Sequence, residues 1–422
     1  MEVLVTLNAS LVTSTTGLMA QSTALSNISS NLANASTTAY KETSTNFSDL
    51  VTTYADGTNY ATGLDGVIAS VNYNNDVQGD ISSTDTTTDL AISGNGYFVV
   101  TTAVLNADGT ISFSNEEYYT RCGDFSLDEN GYMVNSEGYY LMGWTVDPST
   151  GTVEETLTPI QISSDQKSNP IATTEISYSA NLPAGVDTTG TSTVTVYDSI
   201  GESHDVTYTW TLTDADTNTW TLSIGAEGGS SGGDYAASIV VSFDEYGEID
   251  TVDVGDYYDV SGTTISFDLT YTDAATQTIA CDLSNVTQYS ASSINVASFT
   301  ADGVSYGSYD SLGVDSNGYI SISYSNGQIE TYYEIPVATF MSSDYLAPVS
   351  GNAYQATTSS GDPTYSAAGT NGAGTVCSSS LESSNVDIAS QFTDMVATQQ
   401  VYSANARIIS TVDEMMQTLV NL

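Results

Sequence analysis

The chain has 422 residues, 40% of them hydrophobic, and sets 51 acidic side chains against four basic ones, Lys41, Arg121, Lys167 and Arg407, for a formal net charge of −47. That apolar content supports two to four packed domains and excludes a disordered chain, while the charge argues against nucleic acid or an anionic membrane surface as partner. Copies packed side by side would repel one another unless salt, cations or apolar contacts offset the charge, and the acidic exterior reads either as a solubilising coat or as adaptation to saline surroundings.

Residues 1–35 are expected to form a helix. Leu4, Leu11, Leu18, Leu25 and Leu32 recur every seven positions, and Leu7, Ile28 and Ala35 fill a companion row that Ser14 and Gln21 interrupt. The Asn-, Ser- and Thr-rich run from Asn31 to Lys41 ends it, because such side chains compete for backbone hydrogen bonds. Residues 36–70, rich in Thr, Ser, Gly and Asp, read as an extended or irregular connector.

From Val71 the pattern becomes β. Asp89–Val100 reads as strand, Gly94-Asn95-Gly96 turn, strand, and short strands follow to about 145, joined by Asp128–Gly131 and Ser136–Gly138. Pro148 and the Ser/Thr/Gly segment after it suggest a boundary near 146. A second β domain then spans 146–289, with clean alternation in Val206–Leu212 and Trp220–Ile224. The first β domain, 71–145, is expected to resume over 290–362, where Asn317-Gly318 and Asn326-Gly327 favour tight primed hairpin turns.

After a Gly/Ser/Ala connector at 363–380, residues 381–422 form the closing helix, free of Gly and Pro from Val386 onward. Ile388, Met395, Tyr402, Ile409 and Met416 make one heptad row. Phe392, Ala406 and Val420 make a second, broken by Gln399 and Asp413. Ser384-Asn385-Val386-Asp387 supplies capping oxygens and a carboxylate for the helix's positive end. The expected fold is therefore α+β, mainly β: two barrel- or sandwich-like β domains nested between N- and C-terminal coiled-coil helices. The terminal helices read either as ordinary amphipathic helices on a globular body or as helices that pair with each other and with neighbouring copies.

Candidate chemistry is thin. Gly303-Val304-Ser305-Tyr306-Gly307 matches a nucleophile elbow, yet the single histidine, His204, precedes it and no helix is expected after it. Asp124-x-x-x-Asp128-x-Asn130-Gly131 lacks the ligand spacing and closing Glu of an EF-hand. Cys122, Cys281 and Cys377 are odd in number and far apart, which indicates neither a disulfide framework nor a zinc site. No catalytic, cofactor-binding or metal-binding residue is assigned, and no enzyme is expected. No apolar run reaches the roughly eighteen residues of a membrane span. Met1-Glu2-Val3-Leu4 opens no secretory leader.

Five motifs in order carry a resemblance. Ile28–Lys41, Asp89–Val100, Thr120–Trp144, Leu381–Asp387 and Tyr402–Ser410 resemble the signatures of the bacterial flagellar rod and hook axial proteins. Tyr197-Asp198-Ser199-Ile200-Gly201-Glu202-Ser203-His204 is similar to the inserted domain of the hook members, which favours hook over distal rod. Ala39 stands where the family usually has Gly. The resemblance implies a self-assembling subunit of a curved, bendable tube that transmits motor torque, with no cofactor. It implies export through the flagellar type III apparatus without a cleaved leader, to a basal-body-attached hook outside the cell. Partners would be copies of the chain and the distal-rod, hook-cap and hook–filament junction proteins. The assembly residues would be Leu4, Leu11, Leu18, Leu25, Ile28, Leu32, Ile388, Phe392, Met395, Tyr402, Ile409 and Met416. The signature positions are Asn31, Asn34, Tyr40, Lys41, Asn385, Asn405 and Arg407.

Overall fold

A computed structural model describes residues 2–56, 59–106, 111–226, 235–253, 259–271 and 274–420. The leucine heptads give helix α1, Glu2–Ala33. Its many hydroxyl residues are accommodated by turning back on the helix, as Thr15 Oγ1 does to Leu11 O at 2.7 Å. Helix α2 spans Ile388–Val420. Its cap is Asp387, whose Oδ1 accepts the backbone N–H groups of Ala389 at 2.8 Å and Ser390 at 3.2 Å. The chain is mainly β, with one helix near each terminus.

Two stretches expected as connectors contain strands instead. Within 36–70, β1 (Thr43–Asp56) and β2 (Asn59–Tyr73) form a long antiparallel pair, with Thr43 opposite Tyr73 and Phe47 opposite Ala69. Its Thr, Val and Tyr residues suit a pleated ribbon, and α1 packs along it, Asn27 Nδ2 donating to Thr45 Oγ1 at 2.7 Å. Within 363–380, Thr364–Ala367 pairs with Pro336–Thr339, and Thr375–Ser378 with Leu90–Ser93. Leu381 and Glu382 are not helical either. They lie in strand Ser380–Glu382 against Ile81–Ser83, and that pairing keeps the backbone extended until Asp387 supplies a cap.

The chain divides into two units. The first contains Met1–Ser164, Leu312–Ile322 and Glu330–Leu422; the second contains Asp165–Ser311 and Ser323–Ile329. The 146–164 segment stays with the first unit because Val153–Pro159 folds back on Tyr140–Val146, Val153 opposite Val146. In the first unit Tyr97–Leu105 is the central strand, flanked by Ile111–Thr120, Tyr140–Val146 and Pro336–Thr339. Leu90, Ile92, Phe98, Phe125, Met133 and Leu141 are fully enclosed, with Phe98 and Phe125 edge to face at 5.7 Å.

The second unit is built from two five-stranded sheets. Alternate residues of both, including Val206, Tyr208 and Trp210 on one and Ile176, Tyr178 and Leu182 on the other, form one apolar core. Its first strand, Glu175–Pro183, pairs in parallel with Gln277–Tyr289 and antiparallel with Asn295–Ala301. Asp302 Oδ1 accepts the N–H groups of Thr174 at 2.8 Å and Glu175 at 2.9 Å, so the segments entering and leaving this sheet are clasped together.

One turn recurs through both units. In Asp128–Tyr132, Asp198–Glu202, Asp244–Glu248 and Asp315–Tyr319, the aspartate Oδ1 accepts the N–H groups two and four residues on, at 2.8–3.0 Å. The fourth residue is always Gly, and Gly318 has φ +84°. Asn317 keeps a negative φ, so this hairpin is a type I turn with a glycine bulge, not the primed turn its Asn-Gly suggests. A side-chain oxygen that holds two backbone N–H groups favours the longer loop. The same geometry accounts for Asp128, whose carboxylate is engaged by its own turn.

Candidate assembly site on the terminal helices

Helix α1 contacts the β1–β2 ribbon and α2. Asn31 Nδ2 donates to Gln391 Oε1 at 3.1 Å, and a Cβ on Gly17 would lie 3.0 Å from Asn405 Nδ2. Residues 31 and 17 thus face 391 and 405 in reverse order, and the helices run antiparallel.

The burial along α2 follows a heptad whose companion row differs from the expected one. Met395, Ile409 and Met416 turn inward as expected. Their partners are Gln391, Thr398, Asn405 and Val412, one residue before the expected row of Phe392, Gln399, Ala406 and Asp413. Polar Gln391 and Asn405 lie inside because Asn31 and Gly17 meet them there, whereas Phe392 is left 51% exposed. Tyr402 and Ile388 are also exposed. On α1, Ile28 is buried and Leu11, Leu18, Leu25 and Leu32 are half-buried; the side chain of Leu4 lies outside the described residues. A row at a further position of the α2 heptad, Val401, Ile408 and Met415, stands 44–50% exposed. Together with Phe392 and Val396, this row leaves α2 with an exposed apolar surface.

Where the helices join the β body, a buried charge cluster forms. Glu382 Oε1 lies 2.5 Å from Lys41 Nζ, and Arg121 Nη1 lies 3.2 Å from Glu382 Oε2. All three side chains are at most 3% exposed. Lys41 also donates to Val77 O at 2.6 Å, Arg121 Nη2 to Gly94 O at 2.6 Å, and Gly79 N to Glu382 Oε1 at 2.8 Å. Burial pulls the Lys41 pKa below its ordinary 10.5, and the Glu382 charge opposes that pull. Above this cluster, Asn31 Oδ1 accepts from Thr43 N at 3.0 Å and from Tyr40 OH at 3.2 Å, and Asn385 Oδ1 accepts from Glu42 N at 2.7 Å. Gln391 Nε2 donates to Glu42 Oε1 at 2.9 Å. Ala39, held by a bond from its N–H to Glu382 O at 2.8 Å, sits at φ +57°.

Four family descriptions match the chain in order. They are "Flagella basal body rod protein" over residues 11–41, "Flagellar hook protein FlgE/F/G D1 domain" over 91–174, "Flagellar basal body protein FlaE D2 domain" over 167–304 and "Flagellar basal body rod FlgEFG protein C-terminal" over 378–422. The flagellar hook protein FlgE of Rhizobium meliloti (strain 1021) is 33% identical over 364 residues, which is 85% of each chain. The chain belongs to the flagellar hook protein FlgE family. The FlgE of Salmonella typhimurium (strain LT2) is 27% identical over 361 residues, covering 82% of this chain and 84% of its own. Among solved structures, the Helicobacter pylori flagellar hook protein FlgE2 superposes with a TM-score of 0.49 at 15% identity, covering 72% of this chain and all of that one.

Of the signature positions, the hook-family fold gathers Asn31, Tyr40, Lys41 and Asn385 at the junction. Asn34 stays local, its Nδ2 donating to Ser30 O at 2.9 Å. Asn405 faces Gly17, and Arg407 is exposed in a recess lined by Val396, Gln399, Gln400, Ser403 and Ala404. Glu382, Arg121 and Gln391 were not singled out from the sequence. The available signal was scarcity, since three of only four cations lie inside signature motifs. Asp198, Glu202 and His204 bring ligand atoms within 4.8 Å of one another. Asp198 is already engaged by its turn and by His204 Nε2 at 3.3 Å, and His204 stacks on Tyr271 at 3.6 Å. Ser305 is followed by the strand Gly307–Val314, not by the helix of a nucleophile elbow. The relatives are structural hook proteins and not enzymes.

Proposed function

We propose that this chain is a structural subunit of the bacterial flagellar hook, polymerising with copies of itself into a curved, bendable tube that carries motor torque to the filament. The observation that carries the reading is the apolar surface left open on α2: Ile388, Phe392, Val396, Val401, Ile408 and Met415, all at least 44% exposed. Covering the exposed half of each such side chain by a neighbouring copy contributes about 1 kcal/mol, roughly half the value for full burial. In the tube the two helices pack as coiled coils around a central channel, with Leu4, Leu11, Leu18, Leu25, Leu32, Met395, Tyr402, Ile409 and Met416 in the helix contacts. The polar junction of Asn31, Tyr40, Lys41 and Asn385 fixes how the helices leave the β body. The β units meet neighbours through more polar faces that slide as the tube turns. Export through the flagellar type III apparatus, and contact with distal-rod, cap and hook–filament junction proteins, belong to the same reading.

The test is removal of everything after Asp387. The truncated chain is expected to keep its β secondary structure by circular dichroism and to form no tubes by electron microscopy where the full chain does. Tubes from the truncated chain would overturn the reading. The distal-rod alternative predicts straight, rigid polymers in the same images.

A further inference from the structure

Arg407 is the single cation on either helix, and it is exposed. It makes no ion pair among the described residues; the three ion pairs present use Lys41, Arg121 and His204. The opposite problem exists at the start of α2. Asp387, Asp394 and Glu42 crowd together there, and the carboxyl of Glu42 is raised above its ordinary pKa by burial, with the charges of Asp394 and Asp387 adding to the shift. Asp387 is occupied as the helix cap and Glu42 by Gln391, which leaves Asp394 outermost and exposed.

The positions of these two groups on α2 are informative. Asp394 heads the exposed row that continues through Val401, Ile408 and Met415 at a spacing of seven. Arg407 lies thirteen residues beyond Asp394. On a helix of 3.6 residues per turn, that separation places the two side chains about 140° apart around the axis and about 20 Å apart along it. They therefore cannot meet within one helix, and they point to roughly opposite flanks. Two parallel copies side by side bring the flank of one against the opposite flank of the next. A contact of this kind uses a different patch on each partner and does not close on itself, which is the geometry of a filament.

Resting on the hook-subunit reading above, we propose that Arg407 of one copy pairs with Asp394 of an adjacent copy of this chain, setting an axial offset of about 20 Å between neighbouring α2 helices. Charge complementarity selects the occupant. The surface of every copy is acidic, so an exposed guanidinium in a recess lined by Gln399, Gln400 and Ser403 finds its match on another copy. The apolar row holds the helices together, and the lone ion pair fixes their register, as single polar positions do in coiled coils.

The experiment uses the full chain and its charge-reversed variants Arg407→Glu, Asp394→Arg and the double variant. Tube formation is followed by sedimentation, and axial repeat by electron microscopy. Each single variant is expected to raise the concentration needed for assembly at least about tenfold, a loss of roughly 1.4 kcal/mol per contact. The double variant is expected to restore both the threshold and the repeat. Circular dichroism and melting of the monomers check that the exposed substitutions leave the fold intact. A cysteine pair at 394 and 407 is expected to cross-link chains into ladders under oxidation. A wild-type chain that forms no tubes would defeat the hook reading itself. Wild-type tubes with no rescue in the double variant, or rescue of Arg407→Glu by Asp413→Arg instead, would defeat this pairing alone.

Discussion

Glu382 Oε1 and Lys41 Nζ lie 2.5 Å apart in a site that neither shares with solvent, although 341 residues separate them in the chain. The contact ties the segment that leaves α1 to the strand that leads into α2. A buried ion pair is a poor source of net stability, but removing one partner strands the other charge. Here Glu382→Gln would strand both Lys41 and Arg121. The expected cost is about 3–5 kcal/mol in urea-induced unfolding of the first unit. A cost below about 1 kcal/mol would show that water reaches the site and relaxes it.

Ala39 predicts a gain. At φ +57° a side chain is strained by about 1–2 kcal/mol, and glycine is not. Ala39→Gly is expected to raise the melting temperature by a few degrees, equivalent to about 0.5–1 kcal/mol once the greater freedom of glycine in the unfolded chain is subtracted. Unchanged or lower melting would mean the neighbouring bonds, not the residue, set this conformation.

Gly123 predicts a loss. A Cβ there would sit 1.8 Å from Leu90 O and 2.7 Å from its carbonyl carbon, both backbone atoms that cannot rotate away. Gly123 O also accepts from Leu90 N at 2.8 Å, so the two segments cannot part without losing that bond. Gly123→Ala is expected to cost about 3 kcal/mol or more. Hydrogen exchange should accelerate first at Leu90.

Alkaline pH is expected to unfold the protein through its tyrosines. Burial raises Tyr97 from its ordinary 10.0 to about 12, and burial together with the Asp198 charge does the same for Tyr271. A pKa raised in the folded state means the neutral phenol is favoured there. Its stabilisation is complete below pH 10 and is lost as the pH climbs to about 12. Tyr119, Tyr354 and Tyr365 shift the same way. Lys41 runs in reverse, its lowered pKa favouring the fold as pH approaches 10.5, but it is one group against several. In an alkaline titration, tyrosinate absorbance should lag that of the urea-unfolded chain and then rise together with loss of ellipticity. Smooth titration through 10 with the fold intact would contradict this.

The sequence made some of this architecture readable. Repeats of seven are strong signals, and Leu11 to Leu32 and Ile388 to Met416 did lie on helices. Within the single chain, the companion row on α2 is not the most apolar one. Burial instead followed hydrogen bonding, with Asn31 drawing Gln391 inward while Phe392 faced out. The β1–β2 ribbon looked like a connector because its Thr, Ser and Asn residues resemble loop composition, and only its pairing partner makes it a strand. The cluster at Glu382 was hidden for a related reason. Lys41, Arg121 and Glu382 stand in three separate motifs, and nothing local in any of them announces the others.

The clasp at Asp302 has a consequence for how such chains diversify. Thr174 and Glu175 sit beside Asp302 although more than a hundred positions intervene. A host backbone therefore sees this sandwich as little more than a short loop. Such a cassette can be enlarged, traded or excised with small penalty to its host, because closing a gap already bridged leaves little entropy to lose. A chain of this family could thus keep its terminal helices while the inserted unit is remodelled.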